Sequence, residues 1–155
     1  MLAFTLCKHY GRALSNGTRY LFETLPRMLS VWLDLGQKVQ NMDEQSGPSV
    51  KTRIDRFYEL HKLIKKLAER LPAWQFAVAI PQLVSRICHK NPKVHQVIEC
   101  IIQGVLGLYP QQTLWNLMSV SKSTVKARAD RIASVFSKLK VILSIWRLNL
   151  SPTHL

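Results

Sequence analysis

Apolar residues recur at three- and four-residue steps along most of the chain, which is the period of an amphipathic α-helix. The clearest example runs from Lys51 to Leu71, where one apolar stripe faces a surface rich in Lys and Arg. The stripe consists of Ile54, Phe57, Leu60, Leu63, Ile64, Leu67 and Leu71. The two-residue alternation of a half-buried strand is missing from the sequence. The pattern therefore predicts an all-α chain.

Turn-forming residues divide the first half of this pattern. Asn16-Gly17 ends a first helix that begins near Ala3, and Thr18 is the expected N-cap of the second helix. Pro26 lies within the second apolar pattern and should kink or restart that helix, because proline lacks the backbone N–H. Asn41 to Ser49, with its Gly-Pro pair, predicts a loop between two helices.

Prolines also mark the breaks in the second half. Leu71-Pro72 ends the third helix, and Asn91-Pro92 combines an N-cap with proline at the first helical position. Further helices are expected over 74–79, 82–88, 92–108 and 111–120, and from a cap at Ser121 or Ser123 onwards. About seven helices with short connections indicate an antiparallel helical repeat, or α-solenoid.

The charge is strongly unbalanced over a length that fits one domain or part of a longer array. The 155 residues include 22 Lys and Arg against 9 Asp and Glu, a net charge of +13, and 47% are hydrophobic. Such an excess attracts polyanions, so weak and non-specific nucleic-acid binding is expected. Alternatively, the rest of a longer parent protein balances the charge, because the basic residues are spread along the chain.

The cysteines and the apolar runs indicate the cellular compartment of the protein. Cys7, Cys88 and Cys100 are too few and too widely spaced for a disulfide framework, which favours a reducing compartment. The opening Met1 to Cys7 lacks the basic start of a signal peptide. The most apolar run, Val97 to Leu108, is interrupted by charge and is too short to span a membrane. We therefore expect no membrane partner.

Nucleotide-binding and kinase motifs are absent from the sequence. Neither the P-loop pattern nor the dinucleotide glycine pattern occurs, and Gly104 and Gly107 lie in an apolar helical pattern that predicts close helix packing. Ala77 to Ile80 resembles the strand before a kinase lysine, but Pro81 stands at the lysine position. We therefore expect no catalytic and no cofactor-binding residue in this chain.

A metal site and a cysteine nucleophile are also disfavoured. Cys88, His89 and His95 are close in sequence, but a zinc site needs a fourth ligand, and the remaining Cys and His residues are distant. Cys88 and His89 cannot form a catalytic pair, because neighbours on a helix point about 100° apart. Trp32 and Trp115 fall at helical spacing, which predicts core positions for both.

Three stretches rich in uncommon residues occur in a recognisable order and spacing. They are 10–14 with 25–36, 71–76 with 82–89, and 109–115 with 120–123. Together they resemble the ATR branch of the phosphatidylinositol-3-kinase-related protein kinases, and the resemblance covers most of the chain from Tyr10 to Ile132. It implies a FAT/TPR-like solenoid at the end of the FAT region, followed by the helical link into a kinase domain.

The resemblance also implies a function and a setting. The parent would be a nuclear Ser/Thr kinase of the DNA-damage and replication checkpoint, acting with a regulatory partner protein. ATP and Mg would bind only in its kinase domain, and no catalytic residue is carried over to this chain. Residues 1–140 would form the family segment. Residues 141–155 turn apolar where the family would continue a polar helix, so this tail is set apart as atypical and as a candidate artefact.

Three classes of function follow. The first is a non-catalytic scaffold segment of an ATR-like kinase. The second is an independent basic helical module that binds nucleic acid or an acidic protein partner. The third, an enzyme complete in itself, is disfavoured because no convergent set of polar groups is visible in the sequence.

Overall fold

The computed structural model describes residues 2–42 and 47–149, with side chains for 4–42 and 47–140. Within these ranges the chain forms eight α-helices and no strand, which confirms the all-α helical repeat and adds one helix to the expected number. The helices are α1 (Leu2–Asn16), α2 (Leu21–Gln40), α3 (Pro48–Arg70), α4 (Ala73–Ala77), α5 (Ile80–Ser85), α6 (Pro92–Leu108), α7 (Pro110–Ser121) and α8 (Lys126–Asn149).

The helices pack in two groups that share one core. Helices α1, α2 and α3 contact one another, while α6 contacts α4, α5, α7 and α8. A contact between α3 and α6 joins the groups, and buried apolar side chains continue from one to the other. Trp32, Phe57 and Ile98 are all fully buried in this core. Each amphipathic stripe is therefore covered mainly by its neighbours, as in a helical repeat.

One of the expected caps is present. The Asn91 side chain accepts hydrogen bonds from the N–H groups of Lys93 (3.1 Å) and Val94 (3.3 Å), with Pro92 opening α6. These bonds satisfy two of the donors that a helix start leaves free. Before α8, the Ser123 hydroxyl accepts from the N–H of Val125 at 3.2 Å. Val125 itself occupies the cap position of α8, because its carbonyl accepts from the N–H of Ala129, so Ser123 forms a turn before the cap. Ser121 is the last residue of α7.

The start of α2 differs from the expectation. Thr18 does not cap this helix, which begins at Leu21 with Tyr20 as a cap residue that makes no side-chain bond. The helix does not restart at Pro26 but continues to Gln40. The carbonyl of Pro26 accepts a hydrogen bond from the Gln82 side chain at 3.1 Å, which ties this turn to α5. Pro26 is the sixth residue of α2, so its missing N–H removes one internal hydrogen bond, the one to the carbonyl of Phe22.

The loop and the tail are described in part. Helix α2 ends at Gln40 and α3 begins at Pro48, as the Gly-Pro signal predicted, while residues 43–46 lie outside the described part. Gly47, which precedes α3, has φ of 104°, a conformation that favours glycine. The backbone of α8 continues to Asn149, whereas side chains beyond 140, including that of Trp146, and all of 150–155 lie outside the described residues. The interpretation of 141–155 as an atypical tail concerns residues whose side chains lie outside the described part.

Close packing occurs at a glycine other than the two expected. A Cβ added at Gly104 would meet no atom within 4 Å, and one at Gly107 would make an ordinary contact of 3.7 Å with Leu139. At Gly36 in α2, by contrast, an added Cβ would lie 2.8 Å from Cγ2 of Val94. The prediction of close packing at Gly104 was wrong, because that residue faces outward from α6. The close approach of helices lies at Gly36, between α2 and the start of α6.

Candidate docking surface on helix α7

Helix α7 is held to the core by one side. Thr113 and Leu117, one turn apart, are buried. The Thr113 hydroxyl donates to the carbonyl of Tyr109 at 2.8 Å, so this polar side chain is satisfied within its own helix. The helix packs against α5, α6 and α8. Its inward side is therefore already covered.

The opposite side of α7 carries an apolar row that the described residues leave exposed. We call Leu114, Trp115 and Met118 the α7 row; they are 37%, 77% and 45% exposed. The prediction that Trp115 lies in the core was therefore wrong, whereas Trp32 is fully buried as expected. Apolar residues occur on both sides of α7, so the helical period alone could not show which side faces the core.

A polar cluster fixes α8 beside α6. Glu99, on the buried side of α6, accepts hydrogen bonds from Lys138 Nζ at 2.7 Å and from the Ser134 hydroxyl at 3.1 Å. Burial by itself raises the pKa of Glu99, but the bonds from Lys138 and Ser134 outweigh it and hold the pKa below its ordinary value. The charged carboxylate is therefore the form that this cluster stabilises.

A second contact between the same helices uses His95. Its Nδ1 lies 2.9 Å from the carbonyl of Ile87, and Arg131 Nη1 lies 2.8 Å from its Nε2. Because a carbonyl only accepts and a guanidinium only donates, the ring is neutral with its proton on Nδ1. Burial lowers the pKa of His95, and the charge of Arg131 lowers it further. Together with Glu99, this residue sets the position of α8, which packs on α7.

The candidate metal ligands are not brought together. Cys88 is exposed, while His89 is buried, with Nε2 2.9 Å from the carbonyl of Leu33 and Nδ1 accepting from the Asn91 N–H. Both ring nitrogens of His89 are thus engaged, as are those of His95, and a metal ligand needs a free one. The residues that the structure describes contain no group of three His, Cys, Asp or Glu side chains that could hold a metal ion.

The short helices α4 and α5 occupy the segment that resembled a kinase strand. Ala77 ends α4 and Pro81 lies in the first turn of α5, so this stretch is a turn between two helices and not a strand. Trp74 in α4 is partly exposed. Within the described part of the chain, no helix is both long and apolar enough to cross a membrane. Among the side chains that the structure describes, the α7 row is the largest group of exposed large apolar residues on a single helix.

Comparison with known proteins identifies relatives over nearly the whole chain. Residues 59–147 match the family described as serine/threonine-protein kinase ATR-like, HEAT repeats. Protein kinase rad3 of Schizosaccharomyces pombe is 32% identical over 144 residues, which cover 89% of this chain and 6% of the yeast protein.

Two plant proteins show a similar relation. Serine/threonine-protein kinase ATR of Oryza sativa subsp. indica is 36% identical over 132 residues, 84% of this chain and 5% of the rice protein. The kinase of the same name from Arabidopsis thaliana is 36% identical over 126 residues, 81% of this chain and 5% of its own length.

The match is confined to a small part of each relative. This chain spans about a twentieth of the length of the curated proteins that it resembles. No solved structure matches it. The family match covers more than half of the 155 residues, and the helical repeat that it describes is the fold observed. The chain therefore belongs to the ATR-like serine/threonine-protein kinase family, as part of its HEAT-repeat region.

Proposed function

We propose that this chain is a non-catalytic helical scaffold segment of an ATR-like Ser/Thr protein kinase that acts in DNA-damage and replication checkpoint signalling. The observation that carries the proposal is the α7 row on a helix whose other side is already buried. Exposed apolar residues grouped on one helix mark an interaction surface. Family membership makes the rest of a longer kinase the natural occupant.

The finer parts of the proposal come from the family resemblance. The segment would lie at the end of the FAT region and continue into the link to the kinase domain, which would hold ATP and Mg. The α7 row would pack against the rest of the parent, so that this segment helps to clasp the kinase lobes. The parent would work in the nucleus with a regulatory partner of the ATR type.

The polar cluster behind the row suits such a role. Glu99, His95 and their partners hold α8 against α6, and α7 packs on both helices. A force applied at the α7 row would therefore reach α8 through fixed contacts rather than through a loose chain. Coupling between sites requires a packed element of this kind.

A chimaera tests the proposal in a complete kinase. This chain replaces its 144-residue counterpart in rad3 of Schizosaccharomyces pombe. Two readouts are measured: the kinase activity of the purified chimaera on a Ser/Thr peptide, and the survival of the yeast after DNA damage. We expect the chimaera to be active and a version with a flexible linker in place of the segment to be inactive. Activity that survives the linker replacement contradicts the scaffold role.

A matched pair of variants then tests the α7 row. Trp115→Ser should reduce the activity of the chimaera, because the side chain would be buried against the parent. Phe22→Ser is the control, since Phe22 on α2 is 76% exposed, almost the same as Trp115. If both variants, or neither, lower the activity, the α7 row is not the docking surface.

The second candidate function is a basic module that binds nucleic acid or an acidic protein by itself. The net charge of +13 favours it. The two functions differ in the size of the protein that contains these residues. Mass spectrometry of size-separated extracts should find peptides of this chain in a very large polypeptide if the scaffold proposal holds, and in a small one if the module acts alone.

A further inference from the structure

A groove of about 430 Å³ opens between α3 and α6, away from the α7 row. Its floor is apolar and is formed by the buried side chains of Phe76, Val97, Ile101 and Val105. Gly104 lies at one wall, and a Cβ there would meet no atom within 4 Å, so nothing closes that end. The groove can therefore accept apolar side chains from outside.

One end of the groove carries positive charge, and one of its two lysines is held in place. Lys65 of α3 and Lys93 of α6 both line it. Lys93 Nζ lies 4.4 Å from the centre of the Tyr58 ring and 3.4 Å from its hydroxyl oxygen. A cation over an aromatic face is attracted to it, which restricts the lysine before any ligand binds. This end is thus prepared for an anionic group.

His61 adds an oriented donor between the two lysines. Its Nδ1 accepts a hydrogen bond from Trp32 Nε1 at 3.3 Å, and its ring packs against Phe57 and Trp32 at centroid distances of 5.7 and 6.0 Å. The neutral ring therefore carries its proton on Nε2. Burial lowers the pKa of His61, and the charges of Lys93 and Lys65 lower it further.

The other end of the groove has the opposite charge. Glu69 lines the groove four residues after Lys65 and eight after His61 along α3, which are distances of about 6 and about 12 Å on a helix. The groove therefore carries positive charge at one end and negative charge at the other, above an apolar floor. Both walls are helices, whose backbone groups are paired internally, so no sheet edge is available for an extended peptide. The shape and the charge both suit a helix.

We propose that the α3–α6 groove is a docking site for an acidic amphipathic helix of a partner protein. An apolar row of that helix fills the floor, and an Asp or Glu at one end meets Lys65 and Lys93. A Lys or Arg one to two turns away meets Glu69. A second copy of this chain is a poor occupant, because two chains of +13 repel each other. Stacking of neighbouring repeats uses the ends of the array, whereas the groove lies at its middle.

The binding experiment uses the whole 155-residue chain and a designed probe. The probe is a fluorescent amphipathic helix of about 16 residues, with Leu along one stripe, Glu at one end and Lys at the other. Anisotropy should show saturable binding. Replacing every probe Glu by Lys should weaken it by about tenfold or more, because like charges then face each other. An absence of saturable binding overturns the proposal.

Charge variants of the protein locate the site. The double variant Lys65→Glu, Lys93→Glu should bind the probe about tenfold more weakly or worse. The control is Lys62→Glu, Lys66→Glu, which makes the same change of charge at two exposed α3 lysines that do not line the groove. The control should retain most of the affinity. An equal loss in both variants means that the probe responds to overall charge, which contradicts the proposal.

The chain also offers a matched pair of thiols. Cys100 lines the groove and Cys88 is exposed outside it. Saturating probe should slow the alkylation of Cys100 by about tenfold or more and leave the rate at Cys88 unchanged. Binding without this protection places the probe elsewhere and overturns the proposal. Without probe, the alkylation rate of Cys100 should not depend on protein concentration. If Cys100 becomes more protected as the protein concentration rises, a second copy of the chain occupies the groove and the proposal is overturned.

Discussion

Substituting alanine at two helical glycines should change the free energy of unfolding in opposite directions. Gly36→Ala adds a methyl group 2.8 Å from Cγ2 of Val94, 3.1 Å from Cε2 of Phe57 and 3.2 Å from Cε1 of His89. None of these atoms belongs to a long flexible side chain. Val94 is β-branched and buried in the first turn of α6, and His89 is held by hydrogen bonds at both ring nitrogens. The methyl group therefore cannot be accommodated by a simple side-chain rotation.

The two effects of the substitution can be compared. Alanine in place of glycine in a helix gains about 1 kcal/mol from its higher helix propensity. Overpacking a rigid core costs about 1–3 kcal/mol, and the rigid neighbours at Gly36 favour the upper end. Gly36→Ala should therefore destabilise the chain by about 1–2 kcal/mol. At Gly104, where an added Cβ meets nothing within 4 Å, alanine should stabilise it by up to about 1 kcal/mol.

Urea unfolding followed by far-ultraviolet circular dichroism measures both changes. The midpoint should fall for Gly36→Ala and rise for Gly104→Ala, with equal slopes, because neither variant changes the surface exposed on unfolding. In thermal unfolding, the two variants should differ by roughly 2–12 °C. A Gly36→Ala variant as stable as Gly104→Ala would show that α2 and α6 separate easily. The close approach at Gly36 would then not be a constraint on the fold.

Four further measurements test other parts of the structure. Trp32→Ala should destabilise the chain by about 3–5 kcal/mol and Trp115→Ala by no more than about 0.5 kcal/mol, because the first side chain is buried and the second is exposed; equal urea midpoints would contradict these positions. Burial raises the pKa of Glu99, but Lys138 and Ser134 hold it below its ordinary value. The charge of Glu99 therefore stabilises the fold above the unfolded pKa of about 4.3, and this stability is lost as the pH falls through the folded pKa. Glu99→Gln should therefore reduce the fall in the urea midpoint at acidic pH, and an unchanged pH profile would show that the cluster contributes nothing. DNA binding measured by anisotropy should be weak and largely lost between about 50 and about 200 mM salt, and sequence-selective binding at the higher salt would favour the nucleic-acid module. Calorimetry should detect no saturable ATP binding to the chain, because its sequence contains no phosphate-cradling motif.

The sequence by itself determined the helices and most of their ends. The three- and four-residue period predicted an all-α chain, which the structure confirms. Asn91-Pro92 predicted the start of α6 and its cap, and the structure confirms these as well. These features depend on local chemistry, namely backbone donors at a helix start and the fixed φ of proline. The resemblance of three stretches to ATR-like kinases was likewise confirmed.

Only the tertiary structure decided which apolar side of a helix is covered. Trp32 and Trp115 have the same helical spacing, yet one is buried and the other is exposed, because α7 is packed by Thr113 and Leu117 instead. The sequence could not separate them, since periodicity records which residues share a side and not what lies opposite. The same holds for Gly36 and Gly104, whose different surroundings depend on how closely helices distant in sequence approach each other. The groove between α3 and α6 depends on that approach as well, because its two basic side chains lie 28 positions apart in the sequence, at Lys65 and Lys93.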